Sequence, residues 1–340
     1  MRILLIMDPG LPVPPKLYGG HERLVYLFAE EYQKLGHEVT LLAGPQSHCS
    51  GKTVTYGTND LTRSKWVRLK EAAFVWKFLR KNKNNFDLIH NFGRLIYLLP
   101  VLNSPVKKIM SYGRKVAPFG IKVVNRLPNK NLVFTACSDY CVGTGNVAGR
   151  WETVYNTIDF ANYTATSITA ADAPLVFLSR LDKIKGPHIA IGIALKSGNK
   201  LLIAGNEPTT PDDTEYYNDL VRPLIDQKQI EYVGPVNDVQ KNELLGKSKA
   251  MLFPLSGDEA FGLVMIEAMA CGTPVIAFNH AAAPEVIDEG ISGFIVNNEE
   301  EMLAAVAKIP AIDRAQCRRV AEERFDVKVV ARKYLTLFND

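Results

Sequence analysis

This chain predicts two α/β halves, each a doubly wound parallel sheet covered by helices, and three observations predict it. Short β-branched and aliphatic runs alternate with segments whose apolar residues recur every three or four positions. The alternation pauses in a polar, small-residue segment at 161–173, which reads as a linker, and then begins again. Charge divides at the same place: 22 Lys and Arg stand against 11 Asp and Glu up to Ala171, and 18 against 25 after it, although the net charge is only +4. A length of 340 residues suits two domains better than one.

In chain order, residues 2–7 form a first buried strand, and 8–20 (DPGLPVPPKLYGG) a Pro/Gly-rich loop. From His21 the spacing of Leu24, Leu27, Phe28 and Leu35 makes a helix that stops at Gly36. A strand at 38–43, a helix at 66–79, a strand at 87–91, a helix from Arg94, and strands at 106–111 and 132–136 follow. The basic stretch 107–130, with Pro118 and Gly120, also suggests a mobile loop, and 154–159 ends the first half. The second half reads strand 174–179, helix from Pro187, strand 200–204, helix 215–225, strand 230–233 and helix 239–245. Strand 250–254, helix 262–270, strand 275–278 and helices at 300–309, 314–323 and 327–338 complete it. Strands alternating with helices make parallel sheets.

Composition removes several classes. No apolar run approaches the ~20 residues that span a bilayer. The opening MRILLIMDPG has one Arg and no small-residue cleavage site, so it reads as a strand and not a signal peptide. Five cysteines are scattered, and Cys137-x3-Cys141 has no second pair to complete a zinc site. Reduced thiols and a cytoplasmic location are expected. No GxGxxG follows the first strand and no acid ends the second, which counts against a nicotinamide cofactor. No recognition motif accompanies the basic half, so nucleic acid is not an expected partner.

The chemistry-bearing residues gather where a ligand site of this fold class is built, at the carboxyl ends of strands. Gly19-Gly20 lies between the first strand and first helix, where a backbone can approach an anion; a plain turn reads equally well. Arg180 and Lys185 share the loop after the second half's first strand, and two cations there suit a diphosphate without a metal. Phe261-Gly262-Leu263-Val264 opens a helix whose free N–H groups favour an anion. Glu259 precedes that helix and can reach a sugar hydroxyl; Glu267 within it can accept hydrogen bonds from a ribose diol. Eight residues of helix rotate by about 80° net, so the two acids need not share a target. Gly234 and Val236, after another strand, offer backbone groups to a base.

The chain resembles the retaining nucleotide-sugar glycosyltransferases of family 4. The matching signatures are Gly19-Gly20-His21-Glu22-Arg23, Leu35-Gly36-His37-Glu38-Val39, Arg180 with Lys185-Gly186, and Glu259-x7-Glu267 running on to Gly272-Thr273-Pro274-Val275. Pro284-Glu285 with Gly293 is the last of them, so they run through nearly the whole chain. The resemblance implies the GT-B fold: Rossmann-like domains at 1–160 and 161–324 facing a central cleft, with a helix at 325–340 crossing back to the first. It implies that Arg180 and Lys185 hold the donor diphosphate, Glu267 the ribose and Glu259 the transferred sugar, under the Phe261–Val264 backbone. The Gly19-Gly20 loop would close on the diphosphate, and His90 would face the reaction centre. A second histidine common in the family two residues later is Phe92 here, and Ser179 replaces the usual glycine before Arg180.

The implied reaction is metal-independent, cofactor-free transfer of a hexosyl unit, with retention, from a nucleotide-diphosphate sugar to a hydroxyl acceptor. A UDP-sugar is the expected donor. A sugar-nucleotide epimerase or phosphorylase of the same fold, or a non-catalytic nucleotide-sugar-binding protein, are the rival readings. The family binds its acceptor in the first half, and here that half is basic. From Arg63 to Lys83 eight Lys and Arg stand against one Glu, with Trp66, Phe74, Trp76 and Phe78 among them. An ordinary domain helix fits that pattern, and so does a helix lying on a membrane surface. An anionic or lipid-linked acceptor, and peripheral contact at the inner face of the membrane, are the expectations.

Overall fold

The computed structural model describes residues 1–15 and 19–338. The chain forms two compact units, Met1–Thr157 with the segment from Val327 onward, and Ile158–Asp326.

The first unit holds a parallel sheet of β1 (Arg2–Ile6), β2 (Glu38–Ala43), β3 (Lys52–Thr55), β4 (Leu88–Asn91), β5 (Lys107–Tyr112), β6 (Leu132–Ala136) and β7 (Trp151–Thr153), in the order β3-β2-β1-β4-β5-β6-β7. Its helices are α1 (Gly20–Lys34), α2 (Lys65–Asn82), α3 (Pro118–Asn125) and α4 (Asp139–Gly145). Ile3, Leu4, Leu5 and Ile6 are all fully buried, as expected of a central strand covered on both faces. α1 buries the stripe Leu24, Val25, Phe28, Ala29 and Tyr32 against the sheet. The stretch expected as a mobile loop instead contains α3, begun by Pro118 at a position whose missing N–H costs the helix nothing. The helix expected from Arg94 is a tighter 3-10 turn, Leu95–Val101, interrupted by Pro100. The edge strand β3 escaped the pattern because only four residues carry it and all are partly exposed.

The second unit repeats the plan with β8 (Leu175–Leu178), β9 (Leu201–Ala204), β10 (Ile230–Gly234), β11 (Ala250–Phe253), β12 (Val275–Phe278) and β13 (Gly293–Val296), in the order β10-β9-β8-β11-β12-β13. Its helices are α5 (Pro187–Ser197), α6 (Pro211–Tyr216), α7 (Asp238–Lys247), α8 (Leu263–Ala270), α9 (Ala283–Val286), α10 (Glu299–Lys308) and α11 (Arg314–Phe325). Segment 161–173 is docked onto this unit and is not a free linker. Arg314 donates to the Thr166 carbonyl at 2.7 Å and Arg318 to the Tyr163 carbonyl at 2.9 Å. The last helix, α12 (Val327–Thr336), belongs to the first unit, where Val327, Val330, Ala331 and Tyr334 enter the same core as Leu24, Val25 and Phe28.

In each sheet the first strand of the unit has neighbours whose connections leave in opposite directions: β1 between β2 and β4, and β8 between β9 and β11. At such switch points the strand-end loops diverge and open a crevice for a ligand.

Candidate functional site

At the second unit's switch point, the loops after β8 and β11 are bonded together. The chain leaves β8, makes a short turn at Lys183–Lys185, and enters α5 through Gly186, whose φ is 71°. A side chain there would put its Cβ 2.5 Å from the Pro254 carbonyl oxygen, so glycine permits the approach of the two loops. The Ser256 N–H donates to the Ile184 carbonyl at 2.9 Å. Lys185, nearly buried, forms an ion pair with Glu259 from across the two loops. Arg180 is 56% exposed and pairs with Asp182 at 2.8 Å.

α8 begins at Leu263, after Gly262 in the left-handed region (φ 84°). A Cβ at Gly262 would lie 2.9 Å from the Met265 methyl and 3.1 Å from the Phe253 ring. Phe261 is buried edge-on to Phe325, ring centroids 5.8 Å apart, so its side chain anchors the turn and only its backbone can meet a ligand. Met265 makes the first helical bond, to the Gly262 carbonyl, which leaves the N–H groups of Leu263 and Val264 without an intrahelical acceptor. Glu259 lies before this helix, so loop geometry and not helical rotation separates it from Glu267.

Glu267 is held by residues from two other segments. Its Oε1 accepts from the Lys241 ammonium at 2.5 Å and from the Tyr163 hydroxyl at 3.0 Å. Burial, with the carboxylate beside it, holds the Tyr163 phenol far above its usual range. Both bonds use one oxygen, and Oε2 makes no hydrogen bond within the described residues. Gly234 (φ 79°) ends β10, and Val236 precedes the capping box of α7, in which Asn237 and Gln240 bond reciprocally.

The second unit therefore carries Arg180, Lys185, Gly234, Val236, Glu259, Phe261, Gly262, Leu263, Val264 and Glu267 on the carboxyl edge of one sheet. Gly19 and Gly20 belong to the first unit, at the start of α1. His90, expected at the reaction centre, is not open to solvent within its own unit. It is fully buried, with Nε2 2.8 Å from the Ser111 hydroxyl, and its ring packs against Phe92 and Tyr334 at 4.0 and 4.4 Å. A strand buried on both faces turns this side chain into the core, where it joins a polar chain through Ser111 to Thr135.

Burial holds the His90 pKa well below its ordinary 6.5, so the folded chain keeps this ring neutral. Below that pH the unfolded chain takes up a proton that the folded chain refuses, and stability falls as pH falls. Urea midpoints should therefore drop from pH 7 to about pH 5, and His90→Gln should drop less over that interval, whatever its stability at pH 7.

Tyr163, Lys241 and Asp182 were not marked by the sequence. Tyr163 lies in the segment read as a linker. Lys241 has the spacing of any solvated helix cation, and only the fold brings it to Glu267.

Two family profiles match: Glycosyl transferases group 1 over residues 167–324, and Glycosyltransferase Family 4 over residues 18–110. A phosphatidyl-myo-inositol mannosyltransferase of Propionibacterium freudenreichii is 32% identical over 32% of this chain, a match that spans only 30% of that relative's length. A protein of the same description from Mycolicibacterium smegmatis is 23% identical over 99% of this chain and 93% of its own. Among solved structures, Anabaena Alr3699/HepE in complex with UDP superposes with a TM-score of 0.74 at 18% identity, over the full length of both chains. Two doubly wound sheets, profiles that match in both units and the fold shared with that structure place the chain in one family: it belongs to family 4 of the glycosyltransferases and has the GT-B fold.

Proposed function

We propose that the chain is a retaining, metal-independent hexosyltransferase that uses a UDP-sugar as donor and a hydroxyl compound as acceptor, in glycan, glycolipid or glycoconjugate biosynthesis. One observation carries the reading. The switch point of the second sheet joins two cations, two carboxylates and the open end of α8 on one edge. Arg180 and Lys185 would bind the diphosphate, together with the Leu263 and Val264 N–H groups. Glu267, whose second oxygen is open, would take the ribose diol, and Glu259 the transferred sugar. The Gly234–Val236 backbone would meet the base, and the Gly19-Gly20 turn is assigned to the diphosphate.

In this mechanism the bond from the anomeric carbon to the diphosphate oxygen breaks while the acceptor oxygen bonds to the same face. The acceptor's proton passes to the departing diphosphate, so no side-chain base is needed. Charge developing on the diphosphate is met by fixed cations and N–H groups that need no reorganisation. A thermal-shift panel of UDP-, GDP- and ADP-sugars tests the donor, and stabilisation is expected from the UDP series alone. Release of free sugar or transfer product from the stabilising donor separates a transferase from an epimerase and from a binding protein; if neither is released with any acceptor, the transferase reading fails.

The acceptor is proposed to be anionic or lipid-linked, as the names of both relatives describe for those proteins. Among the described residues no helix is long and apolar enough to cross a membrane. Peripheral contact has its own support. α2 and α3 both pack on the segment Leu95–Val101 and leave Trp66 and Phe119 76% and 80% exposed, among Lys65, Arg68, Lys122 and Arg126. Aromatic side chains standing among cations suit an anionic bilayer surface. Co-sedimentation with vesicles should rise with anionic lipid and fall in Trp66→Ala/Phe119→Ala. Binding indifferent to both changes would refute the contact.

A further inference from the structure

The first sheet has its own switch point, between β1 and β4, and its carboxyl edge carries ionisable groups that the donor reading does not use. Asp8, after β1, is already satisfied: it accepts from Arg63 at 3.0 Å, Arg94 at 3.1 Å and the Tyr97 hydroxyl at 2.6 Å. Two groups on the same edge are not. His21, in the first turn of α1, lies edge-on to Phe92, the residue after β4, with ring centroids 5.8 Å apart. Its Nε2 stands where a Cβ at Gly113, just beyond β5, would come within 3.1 Å. Arg114 follows that glycine and is exposed. Neither the His21 ring nor the Arg114 guanidinium makes a hydrogen bond or ion pair within the described residues, although the Arg114 carbonyl accepts from the Cys141 thiol at 3.2 Å.

The surroundings select the ligand chemistry. Burial, and then the nearby Arg114 charge, pull the His21 pKa down to about 4, so its ring is neutral at physiological pH and one nitrogen carries a donor N–H. Glu22 occupies the start of α1 itself: its carboxylate turns back onto its own N–H, and burial holds its pKa above the usual carboxylate range. That leaves the ring and the guanidinium, not the helix end, as the groups open to a ligand. A planar cation beside a neutral N–H donor matches an oxyanion.

We propose that Arg114 and His21 form the oxyanion subsite for the acceptor, so that the acceptor is a hydroxyl compound bearing a phosphate group. Arg114 supplies the charge, and His21, fixed between Phe92 and Gly113, sets the orientation. The proposal rests on the glycosyl-transfer reading above, and the test keeps the two separable.

The probe is inorganic phosphate, followed by 31P NMR in the full chain with UDP added in excess to occupy the second unit. Phosphate should bind the wild type, and about ten-fold more weakly in Arg114→Gln, the loss expected for one charge-assisted bond. On saturation the His21 pKa, read from ring-nitrogen shifts assigned with His21→Asn, should rise from about 4, because a bound anion favours the charged ring against burial and the Arg114 charge, the other titratable groups nearby being Glu22, Asp8 and His90. A second arm compares glucose 6-phosphate with phosphatidylcholine vesicles containing phosphatidylinositol. Loss of binding in Arg114→Gln on the first assigns a soluble acceptor, and on the second a lipid headgroup. Phosphate affinity equal in wild type and Arg114→Gln, no phosphate binding at all, or an unmoved His21 titration overturns the proposal. Failure of UDP to bind in the same samples would instead sink the donor reading and leave the phosphate result standing.

Discussion

Lys185→Met should lower kcat/KM for the nucleotide-sugar donor by about 10²- to 10³-fold, the size of effect expected when one preorganised group that stabilises transition-state charge is removed. The reason is position. Lys185 is almost withdrawn from solvent, and its one described ion-pair partner is Glu259. A donor diphosphate would meet that ammonium in a water-poor setting, where its charge counts for more than on an open surface. The same pair sharpens the roles of the two acids. Glu259→Ala would remove the proposed sugar contact and also free Lys185 from its partner, so its effect on turnover would combine two changes. Kinetics of Lys185→Met, Glu259→Ala and the double variant should be non-additive, with the double costing clearly less than the product of the singles. Additive losses, or a Lys185→Met loss below about three-fold, would mean that the pair is a surface contact of little consequence.

Arg63→Met should destabilise the first unit by about 3–5 kcal/mol, as breaking a buried ion pair from one side does. Arg63 and Glu71 are each almost without exposure and lie 2.9 Å apart, and Arg63 also reaches Asp8 at 3.0 Å. Removing the guanidinium strands Glu71 in a site where burial already pushes its pKa up, with Asp8 nearby adding to the shift. Arg63→Met/Glu71→Leu should recover much of the loss, because no buried charge is then left unpaired. Denaturant titration of the wild type, both singles and the double measures this directly. A single-variant loss under about 1 kcal/mol would show that water reaches the pair.

Much of the fold was legible because burial on both faces writes long aliphatic runs, as in Arg2–Ile6 and Val275–Phe278. What escaped had weak local signals. β3 is short and half exposed, and α3 is an eight-residue helix whose Pro118 and Gly120 resemble a loop until its N1 position is seen. On the site, acids and cations at strand ends were readable, since a strand followed by a turn and a helix places them there. Their mutual arrangement was not. That Lys185 meets Glu259, and that Lys241 and Tyr163 hold Glu267, depends on segments up to 104 residues apart in the chain. His90 shows the converse: a histidine at a strand end looks available in sequence, and only the packing of Phe92 and Tyr334 around it shows that it is enclosed.

The central claim is that the second unit binds the nucleotide diphosphate with Glu267 on the ribose. Isothermal titration of UDP into the wild type, Glu267→Ala and Glu259→Ala tests it most directly. The account predicts that UDP binds the wild type and binds Glu267→Ala at least ten-fold more weakly, a loss of about 1.4 kcal/mol or more. Glu259→Ala, whose carboxylate is assigned to the transferred sugar, should keep UDP affinity within about three-fold, a difference of well under 1 kcal/mol. Equal affinity for wild type and Glu267→Ala would contradict it.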